Sequence, residues 1–270
     1  MAPTVEKQNA VPILRWAGSK RLLVPKLLSL APKHFERYIE PFCGSACFFI
    51  ALAPKKAILA DLNPHLISTY SAIKDNPRKV SDHLKRWQVC KKQYLNLRKT
   101  APTQRLLSAG RFLYLNRLSF NGVYRENRKG EFNVPFGGRR NGQLPSRQSL
   151  SSFSSALQSS KLICSDFEEI VDKSKSGDFV YLDPPYHYGS SRNRGEYGLG
   201  AFANNDVERL VEAVQRADRR GVYVLISYNR AHMLARGLKG WTLSYAQTRR
   251  SVAGFASSRK SVREYFLRNY

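Results

Sequence analysis

Phe179-Val180-Tyr181-Leu182-Asp183-Pro184-Pro185-Tyr186 joins an apolar, β-favouring run to a carboxylate, two prolines and an aromatic ring. Neither proline carries an N–H, so a strand ladder has to stop there, and Pro185 biases Pro184 toward an extended backbone. The turn is stiff. It sets Asp183 and Tyr186 beyond the strand's carboxyl end, where open α/β sheets place their ligands. A flat ring can stack on a nucleobase, and a carboxylate with the Pro184 carbonyl can accept both hydrogens of an exocyclic amine. An acidic strand cap followed by a rigid turn is the other reading, and so short a motif does not choose between them.

Working outward, Tyr38-Ile39-Glu40 runs into Pro41-Phe42-Cys43-Gly44-Ser45-Ala46 and then the apolar Cys47-Phe48-Phe49. A strand, a small-residue loop and a helix start make a nucleotide-type crevice. Only Gly44 is glycine, so this is not the three-glycine fingerprint of nicotinamide oxidoreductases, and no Walker phosphate loop occurs. Ala57-Ile58-Leu59-Ala60 reads as a second strand ending in Asp61, an acid placed to hold the two hydroxyls of a ribose or simply to cap the strand. Ahead of both, Trp16-Ala17-Gly18-Ser19-Lys20 opens a helical stretch carrying Leu22, Leu23, Leu27, Leu28 and Leu30. A small-residue turn at a helix start offers N–H groups, an indole and an ammonium to a charged ligand.

Between Pro77 and Arg140 the character changes: sixteen Lys or Arg stand against Asp82, Glu126 and Glu131, with aromatics interleaved throughout. The first half predicts helices, with apolar positions at Leu84, Trp87, Tyr94, Leu97, Leu106, Leu107, Phe112 and Leu115. The second half, from Phe120-Asn121-Gly122 to Pro135-Phe136-Gly137-Gly138, is rich in turn residues and predicts a β-hairpin. Charges broken up by packing residues imply a folded nucleic-acid surface in place of a solvated charge run. Ser146 to Ser160 reads as a linker or an exposed helix start. Strands follow at 161–164, 222–226 and 262–267, a helix at 206–219, and a Gly/Ser/Arg-rich stretch at 187–200 that reads as a lid or binding loop.

At 270 residues and a formal charge of +25, the chain can bury a large core and calls for a polyanionic partner. No apolar run approaches the ~20 residues of a membrane span, and the polar first ten residues lack a signal-peptide core, so a cytoplasmic protein is expected. Cys43, Cys47, Cys90 and Cys164 form no Cys-x-x-Cys pair. Small buried thiols, with no metal site and no disulfide framework, are the expectation.

These pieces and their order resemble the Dam-type DNA adenine N6-methyltransferase family from about Ile13 onward. The resemblance rests on Arg15-Trp16-Ala17-Gly18-Ser19-Lys20, Pro41-Phe42-Cys43-Gly44-Ser45-Ala46, Ala60-Asp61-Leu62-Asn63 and Asp183-Pro184-Pro185-Tyr186. It extends to Asn116-Arg117, Phe120-Asn121-Gly122, Arg125, Gly130-Glu131-Phe132-Asn133-Val134-Pro135-Phe136-Gly137 and Arg249-Arg250-Ser251. It implies an α/β protein, a Rossmann-like AdoMet-dependent methyltransferase sheet with an inserted helical plus β-hairpin target-recognition domain. The implied parts are residues 1–76 (first part of the catalytic domain, AdoMet-binding), 77–160 (target recognition and DNA binding) and 161–270 (second part of the catalytic domain).

The resemblance further implies S-adenosyl-L-methionine as methyl donor, held by Trp16, Lys20, Phe42, Gly44, Asp61 and Asp183, with no metal. Asp183, Pro184, Pro185 and Tyr186 would carry the chemistry on an adenine flipped out of double-stranded DNA. Arg125 would read a guanine and Phe120 enter the base stack, suggesting a GATC target, while Asn121, Arg128, Lys129, Pro135 and Arg139 complete the DNA face. Arg139 stands where a DNA-contacting tyrosine is expected. A monomer is expected, with a dimer on DNA left open. The alternatives are an amino-methyltransferase acting on cytosine N4 or on RNA adenine, or a catalytically inactive DNA-binding relative. Serine in place of Asp183 would mark a cytosine enzyme, and loss of Asp183 or Asp61 an inactive relative.

Overall fold

The computed structural model describes residues 10–127, 130–138, 142–185, 202, 204–249 and 261–270. Tyr186, Arg128, Lys129, Arg139 and the expected binding loop at 187–200 lie outside the described residues. Among the described residues seven strands form one sheet: β1 (Tyr38–Glu40), β2 (Ala57–Asp61), β3 (Ser160–Cys164), β4 (Phe179–Leu182), β5 (Tyr223–Tyr228), β6 (Thr242–Arg249) and β7 (Ser261–Arg268). Their order is β3-β2-β1-β4-β5-β7-β6. The first five run parallel, and β7 lies antiparallel between β5 and β6. The strand order reverses between β1 and β4, which are paired at Tyr38↔Phe179 and Ile39↔Val180. Their carboxyl ends therefore open side by side into the crevice where such sheets bind ligands.

Successive strand residues face opposite ways, and the core divides accordingly. Tyr38, Leu59, Phe179, Tyr181 and Leu225 belong to one apolar cluster, while Ile39, Ile58, Val180, Leu182, Val224 and Ile226 belong to another. All four β4 residues are buried, as expected of a parallel strand covered on both faces. The second cluster is closed by α8 (Phe167–Asp172), α9 (Asn204–Arg219) and α10 (Ala231–Ala235). The first is covered by α1 (Val24–Leu30), α2 (Cys47–Leu52) and α3 (Pro64–Asp75). It continues without a break into α4 (Pro77–Lys85), α5 (Lys91–Lys99), α6 (Arg105–Leu118) and α7 (Arg147–Leu157). The basic middle of the chain thus shares its core with one face of the sheet.

Four departures from the sequence expectations appear here. The serine-rich 146–160 stretch is the packed helix α7, started by Ser146, whose Oγ accepts from Ser149 N at 3.0 Å. Leu150, Phe153 and Leu157 are buried on one face, with Phe153 against Tyr70 at 5.0 Å between centroids. β6 was not anticipated at all. Of the cysteines, Cys43 and Cys47 are buried, whereas Cys90 is half-buried and Cys164, at the end of β3, is exposed. The expected hairpin at 120–136 is a looser antiparallel fold-back, held by isolated bridges at Ser119↔Phe136 and Glu126↔Phe132. No helix among the described residues is long and apolar enough to cross a membrane.

Candidate active site

β4 ends where the prolines begin, and its last buried residue hands over to Asp183. This carboxylate lines a cleft of about 280 Å³ at the carboxyl ends of the parallel strands, together with Pro184 and Pro185. Trp16, Lys20, Phe42, Gly44 and Asp61 line the same cleft. The sequence-predicted residues inside the described region thus divide into this cleft group and a separate group on the fold-back.

Asp183 is held by one of its two oxygens. Oδ1 accepts from Lys20 Nζ and, at 3.3 Å, from Ser227 Oγ at the end of β5. Ser227 Oγ also sits 2.9 Å from the buried Tyr181 hydroxyl. Asp183 Oδ2 and the Pro184 carbonyl have no hydrogen-bond partner among the described residues. Lys20 is only 4% exposed, and a buried ammonium needs counter-charges and acceptors. Besides Asp183 it has the Gly18 carbonyl at 3.2 Å and Glu264 Oε1 of β7 at 3.5 Å. Burial raises the Asp183 pKa above the ordinary carboxylate value, while Lys20 and Ser227 pull it back.

Asp61 does two jobs with its two oxygens. Oδ2 accepts from Gly44 N at 3.1 Å and Oδ1 from Asn63 N at 3.0 Å, so the end of β2 pins the loop after β1. Burial pushes Asp61 up to about 6, against the pull of these N–H groups. Gly44 has φ +41°, and a Cβ there would lie 2.7 Å from Trp16 Cδ1. Glycine is what lets the indole approach. Trp16 stacks on Tyr124 with centroids 5.8 Å apart and planes at 21°. Its loop is fastened to α6 by a reciprocal pair, Arg15 N to Asn116 Oδ1 at 2.9 Å and Asn116 Nδ2 to Arg15 O at 2.7 Å.

Several residues escaped the sequence reading. Glu40, last in β1, is 3% exposed and lines the cleft, with Oε2 buried and lacking a hydrogen-bond partner among the described residues. Burial, with the nearby Asp183 and Asp61 carboxylates, holds its pKa well above the usual range. At the other end of the cleft Arg209 of α9 is forked onto Asp166 at 2.6 Å, Glu168 at 2.9 Å and Asp206 at 2.8 Å. Its guanidinium lies 4.9 Å over Phe167, which stacks on Phe42 at 5.3 Å. Asp166 had a signal, an acid just past a strand end as at Asp61. Ser227 and Glu264 had none.

Phe120, Asn121, Arg125 and Pro135 come together on the fold-back and do not line the cleft. Phe120 is 37% exposed and its N–H donates to the Pro135 carbonyl at 2.9 Å. Asn121 takes a left-handed conformation, φ 56°, that turns the chain there. Arg125 Nε donates to Asn133 Oδ1 at 2.8 Å, which fixes the direction of the guanidinium. Beneath them Tyr124 and Phe132 are buried 5.4 Å apart, and Tyr94 OH donates to the Val134 carbonyl at 3.0 Å. The rim mixes polar side chains with the exposed Phe120 and Pro135, and its underside is anchored in the core.

Known proteins are similar in sequence to this chain over nearly its whole length. A type II methyltransferase of Lactococcus lactis subsp. cremoris is 33% identical over 275 residues, covering 98% of this chain and 97% of that protein. The DNA adenine methylase of Vibrio cholerae is 32% identical over 268 residues, covering 96% and 95%. That of Escherichia coli is 30% identical over 258 residues, covering 93% and 92%. Residues 16–252 match the D12 class N6 adenine-specific DNA methyltransferase family. With its Rossmann-like sheet and its acids at the strand ends, this chain belongs to that family and is an adenine-specific DNA methyltransferase.

Proposed function

We propose that the enzyme methylates N6 of adenine within GATC in duplex DNA, acting on a base turned out of the helix. The observation that carries this reading is the pair of unused acceptors after β4. Asp183 Oδ2 and the Pro184 carbonyl, neither with a partner among the described residues, match the two hydrogens of an exocyclic amine. S-adenosylmethionine fits the residues that surround them. Glu40, Asp61 and Asp183 all have pKa values raised by burial, and Glu40 Oε2 lacks a hydrogen-bond partner among the described residues. A cationic ligand with ribose hydroxyls supplies what these groups lack. Trp16, Lys20, Phe42, Gly44, Asp61 and Asp183 would hold it.

Bound there, S-adenosylmethionine supplies an electrophilic methyl group on a sulfonium. The chain's own residues prepare the nucleophile. The adenine amine is weak because its lone pair is delocalised into the ring. Hydrogen bonds to Asp183 Oδ2 and the Pro184 carbonyl favour a more tetrahedral nitrogen whose lone pair is free to attack. The nitrogen takes the methyl group with cleavage of its bond to sulfur, and the positive charge that arrives on nitrogen sits beside a fixed carboxylate, an electrostatic contribution of about 3–4 kcal/mol by analogy with other preorganised sites. The methylated nitrogen then releases one proton to solvent. Pro185 keeps Pro184 extended, and Tyr186 stacks on the base. The mechanism invokes no metal.

Residues 77–160 act as the target-recognition unit, with Arg125 donating two hydrogen bonds to one guanine and Phe120 filling the gap left by the adenine. Asn121, Arg128, Lys129, Pro135 and Arg139 form the rest of the DNA face. Turning the base out costs a few kcal/mol of unstacking, offset by phosphate contacts that a chain of net charge +25 is suited to make. The enzyme works as a monomer in the cytoplasm. The test is methyl transfer from tritiated S-adenosylmethionine to a GATC duplex and its single-pair substitutions, with nucleoside digestion. 2-Aminopurine fluorescence at the target position reports base extrusion. Label in N6-methyladenine, confined to GATC and accompanied by a fluorescence rise, is expected. Equal labelling of all duplexes would overturn the specificity, and label without a fluorescence rise the extrusion.

A further inference from the structure

Asp183 is built into a chain that reaches it from strands distant in sequence. We infer that Ser227 of β5 and Glu264 of β7 are positioning residues that occupy Asp183 Oδ1, directly and through Lys20, so that Oδ2 alone meets the substrate amine. The inference rests on Asp183 being the amine acceptor.

The geometry is directional. Ser227 Oγ donates to Asp183 Oδ1 at 3.3 Å, so its single proton is committed, and the Tyr181 hydroxyl at 2.9 Å must then donate to Ser227. Lys20 Nζ donates to the same Oδ1, and behind it stands Glu264 Oε1 at 3.5 Å. Ser227 is fully buried, Glu264 is 2% exposed and Lys20 4%. No solvent competes for these bonds. Oδ1 receives two donors, which exhausts its lone pairs. A carboxylate free to rotate would present either oxygen and lose the alignment that methyl transfer needs.

The arrangement also sets the carboxylate's charge. One ammonium is shared between two carboxylates, the partly buried Asp183 and the buried Glu264. The other titratable groups facing Asp183 are Glu40 of β1, Cys47 of α2 and Tyr181 of β4. Neutralising Glu264 leaves the whole of the Lys20 charge to Asp183, which favours its ionised form. Removing the Ser227 hydroxyl takes away a hydrogen bond to the ionised form and disfavours it.

The two variants therefore move the acid limb of the reaction in opposite directions. The experiment is single-turnover methyl transfer from pH 5 to 9 on full-length protein saturated with S-adenosylmethionine and duplex, for wild type, Glu264→Gln, Ser227→Ala and Asp183→Ala. Glu264→Gln should shift the acid limb down and Ser227→Ala should shift it up, each by about one pH unit. The plateau rate of Ser227→Ala should fall while S-adenosylmethionine affinity stays within about twofold, since the hydroxyl acts through Asp183. Limbs that stay in place, or move the same way, overturn the inference. If Glu264→Gln does not fold, Ser227→Ala decides alone: an upward shift supports the positioning role, and an unmoved limb refutes it. Asp183→Ala separates the two ideas, because turnover retained in that variant refutes the parent reading, whereas an inactive Asp183→Ala beside unmoved limbs refutes only the positioning.

Discussion

Replacing Gly44 by alanine puts a methyl group where the loop after β1 meets the Trp16 indole. The added Cβ would lie 2.7 Å from Trp16 Cδ1 and 3.0 Å from Nε1, where 3.4 Å is the near edge of ordinary contact. The backbone there has φ +41°, a conformation that costs an L residue about 1–2 kcal/mol. The indole cannot simply step aside, because it stacks on Tyr124 and packs on Phe112, whose ring centroids are 5.0 Å apart. Overpacking of this kind costs about 1–3 kcal/mol more. A total of roughly 2–5 kcal/mol corresponds to about 4–9 °C in Tm for a chain of this size. Gly240→Ala is the control: its φ is +84°, but nothing lies within 4 Å of an added Cβ, so it feels backbone strain alone. Thermal melts of both variants, with calorimetric titration of S-adenosylmethionine, test the point. Displacing the indole should weaken binding by about 0.5–1.5 kcal/mol, or roughly two- to tenfold in Kd. Equal melting temperatures for the two variants would refute the clash, and unchanged affinity would remove Trp16 from the ligand's surroundings.

Three further outcomes are expected. Asp183→Ala should lower the methyl-transfer rate by at least about 10²–10³-fold while duplex affinity, measured by fluorescence anisotropy, persists because phosphate contacts dominate it. Arg125→Ala should cut the preference for one guanine of the site by roughly ten- to a hundredfold; Asn133→Ala, which frees the Nε held at 2.8 Å, should do the same to a smaller degree, and initial rates on single-substitution duplexes read both. Because burial raises Asp61 to about 6, its stabilising contribution is present below about pH 4 and is lost as the pH rises through about 6. The cationic methyl donor favours the ionised form, so its affinity should tighten over that interval. Asp61→Ala should abolish the step in calorimetric titrations from pH 5 to 8.

The elements that read true from sequence are those whose cause is local. A β-favouring run stopped by two prolines can only end at Leu182, and acids at 61 and 183 follow from where strands stop. Helix α9 was legible because Val207, Leu210 and Val214 repeat on one face, and all three are buried. The same signal was present in α7 as Leu150, Phe153 and Leu157, but serine between them resembled linker composition. Burial of Ser152 and Ser154 against neighbouring helices is a tertiary fact that composition does not carry. Cys164 was misjudged for the same reason: its exposure follows from β3 being an edge strand. Glycine-poor loops were another limit, since Ala46 adopts φ 52° without the glycine that would have announced it.

What the sequence by itself determined was the set of local elements: an acid and two prolines stopping a strand, a small-residue loop at a helix start, an acid closing a second strand and a basic segment interleaved with aromatics. Which of them share a cleft was decided by sheet order. Placing β1 beside β4 brings Glu40 and Asp183 to one crevice, and inserting β7 antiparallel next to β5 carries Glu264 to Lys20 and Asp183. Neither adjacency has a period or a spacing in the chain. The contacts span most of its length, and they exist only because burying both faces of the sheet fixes the order and register of its strands.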